Sequence, residues 1–116
     1  MERNKQRRNF IIPLLLIDED TQLTFKAVVL DVSSKGLKAF SNDKRLLLVN
    51  EDILKEKTFK LEFDFFDVPT QNLNAKVVNI SPGEHPQFER RLGMSFVDIR
   101  PELVRTIEEF LQEHHN

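Results

Sequence analysis

A small, mainly β domain is the fold this sequence predicts: six antiparallel strands in a barrel or sandwich, followed by one amphipathic C-terminal helix. Three observations carry it. The 116 residues fall at the size of a single domain, and 40% hydrophobic with 31% charged residues is the balance of an ordinary globular chain. Apolar runs rich in Ile, Val, Leu and Phe recur between short polar turns. Only the last stretch, residues 101–114, changes its apolar period from two to about 3.6.

Residues 10–17 and 24–32 are apolar and enclose "DEDTQ", the pattern of an antiparallel hairpin. Its acidic tip, Asp18 to Asp20, lacks the ligand spacing of a calcium loop and reads as a solvated turn. Pro13 cannot donate to a ladder, so it points to an edge position or a bulge. Beyond the polar corner Asp31–Gly36, "LKAFS" returns as a third strand. Residues 42–57, "NDKRLLLVNEDILKEK", fit neither period and read as a loop with one helical turn. The clearest alternation is "TFKLEFDF", which buries Phe59, Leu61, Phe63 and Phe65 and wets Lys60, Glu62 and Asp64. "DVPTQN" turns the chain into "LNAKVVNI", "SPGEHPQFERR" is a longer loop, and "LGMSFVDI" is the sixth strand. In "PELVRTIEEFLQEH", Leu103, Val104, Ile107, Phe110 and Leu111 share one helical face. Pro101 suits the first turn of that helix and Glu102 the positive end of its dipole, so the helix is expected to pack on the sheet.

Composition excludes several functions. With no cysteine there is no disulfide and no thiolate metal site. Three glycines form no phosphate-cradling loop, and neither Ser33 nor Ser34 sits in a nucleophile elbow, so no enzyme is expected. His85, His114 and His115 lack metal-ligand spacing, and no metal is expected. Ten Phe without Tyr or Trp read as core packing. The basic start followed by "FIIPLLLI" imitates a secretory signal, but the run is eight residues long, contains Pro13 and meets Asp18–Asp20 without a cleavage site. A membrane span needs ~20 apolar residues, so a cytoplasmic protein without a membrane segment is expected.

The net charge of -2 hides an asymmetry. "MERNKQRR" sets Arg3, Lys5, Arg7 and Arg8 against Glu2, a charge of +3, which leaves -5 on the other 108 residues. A basic arm of this kind suits an anionic partner. A second feature is the corner itself: along an extended chain Asp31 and Ser33 project to one side and Val32 to the other. Gly36 would let the backbone take a positive φ and come close. A guanidinium forks onto phosphate or onto guanine O6 and N7, and stacks on an aromatic face. A carboxylate accepts from the N1 and N2 hydrogens of a guanine edge. Arm and corner together suit a guanine nucleotide.

The arm contains R-x-x-x-R as "RNKQR", Arg3 to Arg7, and the corner contains [D/N]-x-S-x-x-G as "DVSSKG", Asp31 to Gly36, with 23 residues between them. In this order and spacing they resemble the two halves of the PilZ domain signature, the bacterial receptor module for cyclic di-GMP. "LGMSFVDIRPELVRTIEEFL" is similar to that family's closing strand and helix. The resemblance implies a six-stranded antiparallel β-barrel of PilZ-like, split-barrel type with a C-terminal amphipathic helix. Residues 1–9 would be a basic, flexible ligand-binding arm, and 10–116 the barrel domain with its helix at about 101–114. Arg3 and Arg7 would bind phosphates and guanine faces, Asp31 and Ser33 a guanine edge, and Gly36 would permit the close turn. Arg8, Ser34 and Asn79 are additional candidate contacts.

The resemblance further implies a non-catalytic, stand-alone receptor or adaptor that binds cyclic di-GMP, as one molecule or as an intercalated pair, while its arm wraps the ligand. It would pass occupancy to an unidentified downstream protein, with no cofactor, nucleic acid or membrane insertion. Two other readings compete with it. One is a protein-interaction scaffold of the same fold whose motifs are idle. The other is a nucleic-acid-binding barrel with a basic arm, against which the acidic body and the lack of Tyr and Trp count.

Overall fold

The computed structural model describes residues 12–64, 73–83, 85 and 89–113. Six strands, β1 (Ile12–Asp18), β2 (Leu23–Val32), β3 (Gly36–Ser41), β4 (Thr58–Glu62), β5 (Leu73–Pro82) and β6 (Arg90–Val97), close into a barrel in the order β1-β2-β3-β6-β5-β4. Every neighbouring pair is antiparallel. Closure comes from β1, whose Leu16 lies opposite Phe25 of β2 on one side and Leu61 of β4 on the other. The sheet is thus one barrel and not a sandwich.

Alternation decides what faces inward. Leu14 and Leu16, Phe25, Ala27 and Val29, Leu37 and Ala39, Phe59 and Leu61, and Leu92 and Met94 are buried, while the residues between them are wholly or partly exposed. Alanines set beside large side chains fill the interior, and Phe25 meets Phe59 edge to face at 6.1 Å and 89°. Each fully buried Leu or Phe stabilises the barrel by about 1.5–3 kcal/mol, and this wall of them is what fixes the register. Among the described phenylalanines Phe25, Phe59 and Phe63 are buried, and Phe40, Phe96 and Phe110 are half-buried.

Pro13 sits opposite Val28, before the pairing of β1 with β4 begins at Leu15. It occupies the overhang of a strand with one neighbour, where its missing N–H matters least. The register shifts fall elsewhere, at Leu30 in β2 and at Val78 in β5.

Two expectations are corrected. Asp18 is not a solvated turn residue: it is 3% exposed, and its carboxylate accepts from Lys57 Nζ at 2.7 Å and from the Asp20 N–H at 3.1 Å. The turn beside it tightens because Gln22 takes a left-handed φ of 63° and donates its N–H to the Asp18 carbonyl at 2.7 Å.

Residues 42–57 hold two helical turns and not one, α1 (Lys44–Leu47) and α2 (Glu51–Leu54). Each starts on a capping side chain, Asp43 accepting from the Arg45 N–H and Asn50 from the Asp52 N–H, and each buries one leucine, Leu46 and Leu54. Asp43 also accepts from the Lys26 N–H of β2 at 2.9 Å, and Arg90 of β6 donates to the carbonyls of Leu46 and Val49. The β3 to β4 connection is therefore pinned to the barrel at its start and its middle.

The C-terminal helix α3 (Pro101–Glu113) begins where the Arg100 carbonyl accepts from the N–H groups of Leu103 and Val104, so Pro101 stands where a missing N–H costs nothing. Leu103 and Ile107 enter the buried cluster, and Phe110 and Leu111 pack partly against it.

Candidate functional site

The corner after β2 is built from its own polar groups. Val32 is buried, while Asp31 and Ser33 are exposed on the outer face of the barrel. The Ser33 N–H donates to the Gly36 carbonyl at 2.8 Å. Its hydroxyl accepts from the N–H groups of Lys35 at 3.2 Å and Gly36 at 3.3 Å and donates to the Gly36 carbonyl at 3.3 Å. One donor and two acceptor sites are all that a hydroxyl has, so Ser33 is first of all the residue that makes the turn. The tip is tied across to β6 by the Phe96 N–H donating to the Lys35 carbonyl at 2.9 Å.

Gly36 corrects another expectation. No described glycine has a positive φ. What requires glycine is space: a Cβ there would lie 2.0 Å from the Met94 carbonyl oxygen, because β3 and β6 approach closely at this point.

The outer wall beside the corner carries a row of four residues from four strands. Asp31 of β2 lies opposite Lys38 of β3, Lys38 opposite Gly93 of β6, and Gly93 opposite Asn79 of β5. Each bulge turns two successive residues outward, Leu30 with Asp31 and Val78 with Asn79. Gly93 leaves a gap in the row, since a Cβ there would touch the Asn79 Cβ at 3.2 Å. The result is an open groove of about 340 Å³ between Asp31, Ser33 and Lys35 on one side and Val78 and Asn79 on the other, floored by Gly36 and Gly93.

Its lining holds one carboxylate, Asp31, and two ammonium groups, Lys35 and Lys38, on a body that is otherwise acidic. An acceptor for a donor-rich edge, cations for an anion and an amide across a gap are what it offers chemically. A second open groove of about 580 Å³ lies beside the Asp18–Lys57 pair. It is rimmed by Glu19, Asp20 and Glu56, which suits it poorly to an anion.

Of the candidate residues, Asp31, Ser33, Gly36 and Asn79 line the first groove. Ser34 is half-buried on the corner and does not line it. Arg3, Arg7 and Arg8, with His114 and His115, lie outside the described residues. His85 is exposed, its N–H donating to the Glu89 carboxylate at 3.2 Å. Among the described residues no cluster of His, Asp and Glu could hold a metal ion, and no helix is long and apolar enough to cross a membrane.

Lys35, Lys38, Val78, Gly93 and Ser95 are lining residues that sequence reasoning missed. Lys38 had a readable signal: counting outward from the corner pairs Val32 with Leu37 and Asp31 with Lys38. Gly93 and Ser95 had none, because β3 and β6 meet across half the chain.

Fold and groove together define a six-stranded β-barrel domain with an open, cationic recess on its outer wall. The PilZ domain profile matches residues 2–113, and the chain belongs to the PilZ domain family. Among solved structures the chain is similar to the PilZ domain with c-di-GMP of YcgR from Escherichia coli, at 14% identity and a TM-score of 0.64, covering 88% of this chain and 80% of that one. It is also similar to MrkH of K. pneumonia in its apo state, at 12% identity and a TM-score of 0.70, covering 92% of this chain and 47% of that one. A P2(1) crystal of MrkH gives the same identity and TM-score with 46% of that chain covered, so this chain spans about half the length of MrkH. No curated protein sequence matches this chain.

Proposed function

We propose that this protein is a non-catalytic receptor for cyclic di-GMP in the bacterial cytoplasm, acting as a stand-alone module that hands occupancy of the groove to a partner protein. The observation that carries the reading is the exposed Asp31 carboxylate at a cationic groove, in a PilZ family chain that also holds Arg3 and Arg7 in the R-x-x-x-R spacing. Asp31 accepts from the N1 and N2 hydrogens of a guanine, and Arg3 and Arg7, with Arg8 beside them, take phosphate and guanine faces. Ser33 holds the corner in shape beneath the ligand, and Asn79 offers its amide from the far side. Residues 1–9 serve as the arm and residues 10–116 as the barrel it closes on. The c-di-GMP in the YcgR PilZ domain supports this choice of ligand.

Titration calorimetry on the full chain tests it. Cyclic di-GMP should bind, and Arg7→Ala and Asp31→Ala should each weaken binding roughly tenfold or more, the loss expected when a charged hydrogen-bonding group is removed. Unchanged affinity in both variants removes the proposed site. Tighter binding of a short single-stranded oligonucleotide than of cyclic di-GMP would favour a nucleic-acid partner instead.

A further inference from the structure

We propose that Lys38, with Lys35 at the rim, is a phosphate subsite built into the barrel wall, so that this chain holds the phosphodiester of its ligand from the barrel as well as from the arm. The proposal rests on the cyclic di-GMP reading and adds to it a residue, Lys38, that lies in neither sequence motif, and an ammonium, Lys35, at a position the corner motif leaves unspecified.

Four observations support it. Lys38 stands on the outer face directly between Asp31 and Gly93, in the middle of the groove. Its direct neighbour on the β6 side, Gly93, has no side chain to cover it. A lysine opposite an aspartate is ordinarily a cross-strand pair, yet the salt bridges among the described residues are Arg45–Asp43 and Lys57–Asp18, and the Lys38 ammonium makes neither an ion pair nor a hydrogen bond with a described residue. The backbone of Lys35 is fixed by its bonds to Ser33 and Phe96, which places at the rim a second lysine whose ammonium has no partner among the described residues.

Spacing agrees with the chemistry. Neighbouring strands lie ~4.8 Å apart, so the Lys38 position is about 5 Å from Asp31 and, across the Gly93 gap, about 10 Å from Asn79. A carboxylate that takes a guanine edge and an ammonium one strand away that meets a phosphate fit two parts of one guanine nucleotide. The sign of the charge is also particular to this recess. The body carries -5 outside the first eight residues, whereas the groove lining carries two lysines against one aspartate. A lysine here attracts an anion without displacing a partner among the described residues.

Cyclic di-GMP titrations of the full chain, Lys38→Met and Lys38→Arg, at low and at high salt, test the subsite. Lys38→Met should bind about fivefold more weakly at low salt, the deficit should shrink at high salt because it is coulombic, and Lys38→Arg should bind like the unaltered chain. The free variants should melt at the temperature of the unaltered protein, since Lys38 is exposed. If Lys38→Met binds as tightly as the unaltered chain, or its deficit ignores salt, the subsite is overturned and the receptor reading stands. If the unaltered chain does not bind cyclic di-GMP, both are overturned.

Discussion

Gly36→Ala carries a sharp quantitative expectation. The added methyl would lie 2.0 Å from the Met94 carbonyl oxygen and 3.1 Å from the Ser95 Cα, both backbone atoms of the paired strand β6. An ordinary carbon–oxygen contact is more than about 3 Å, so β3 and β6 must part by about 1 Å at the corner, an overpacking cost of about 1–3 kcal/mol. The same movement pulls on the Ser33–Gly36 and Phe96–Lys35 backbone bonds, each worth about 1 kcal/mol. A loss of about 3–4 kcal/mol lowers the melting temperature of a domain this size by about 10–15 °C, measured by circular dichroism. Gly36→Asn separates the two explanations for this glycine. Asparagine tolerates a positive φ and would rescue a conformational requirement, but it cannot rescue a steric one. Gly36→Asn should therefore melt no higher than Gly36→Ala, and a variant melting within roughly 2 °C of the unaltered chain would refute the reasoning. Gly93→Ala is the control: its methyl meets the Asn79 Cβ at 3.2 Å and asks for a few tenths of an ångström, so it should lower the melting temperature by less than about 4 °C.

Other expectations follow from the same contacts. Gly93→Val fills the gap in the outer row with a good strand residue, so it should weaken cyclic di-GMP roughly tenfold or more while the free chain still unfolds cooperatively; undiminished binding would show that the ligand lies elsewhere. Lys57→Met leaves the buried Asp18 without its ammonium and should cost about 3 kcal/mol in urea unfolding, whereas a loss below about 1 kcal/mol would mean that the pair contributes little. Burial pushes the Asp18 carboxyl up, but bonds from Lys57, Thr21 and the Asp20 N–H outweigh it and hold it below its usual value. Hydrogen bonds from the Arg45 side chain, aided by the backbone N–H groups of Lys26 and Arg45 and opposed by burial, bring Asp43 from 3.8 down to about 2. A carboxyl depressed on folding adds stability that is complete above about pH 4 and lost as the pH falls toward 2. The fall in melting temperature between those values should be smaller in Asp43→Asn, and an identical fall would show that Asp43 is not coupled to folding.

The barrel was legible because its inner face is written as alternation: Leu14, Leu16, Phe25, Ala27, Val29, Phe59 and Leu61 are apolar residues at period two, and burial follows them. The bulges were not legible, since "VVLDV" and "VVNI" carry no glycine or other mark of a bulge and read as continuous strands, and only pairing shows that Leu30 and Val78 are skipped. The turns α1 and α2 had a local signal that went unused, the caps Asp43 and Asn50, the second followed by Glu51 and Asp52 at the positive end of its turn. Asp18 misled because an acid in a hairpin tip is normally wet, and its partner Lys57 lies 39 residues away. At the groove, Asp31, Ser33 and Gly36 stood out by type and spacing, although Ser33 turns out to spend its hydroxyl on the turn and Gly36 to need room and not a positive φ. The row from Asp31 to Asn79 depends on the register of four strands, a long-range property that no local pattern encodes.

The central claim is that the outer groove of the barrel is where this chain takes its ligand, and amide chemical-shift mapping tests it most directly. On addition of cyclic di-GMP, the largest shifts should fall on Asp31, Ser33, Lys35, Gly36, Lys38, Asn79, Gly93 and Ser95, and Glu19, Asp20 and Glu56 of the acidic groove should stay still. Shifts centred on the acidic groove, or a spectrum that cyclic di-GMP leaves unchanged, would contradict the account.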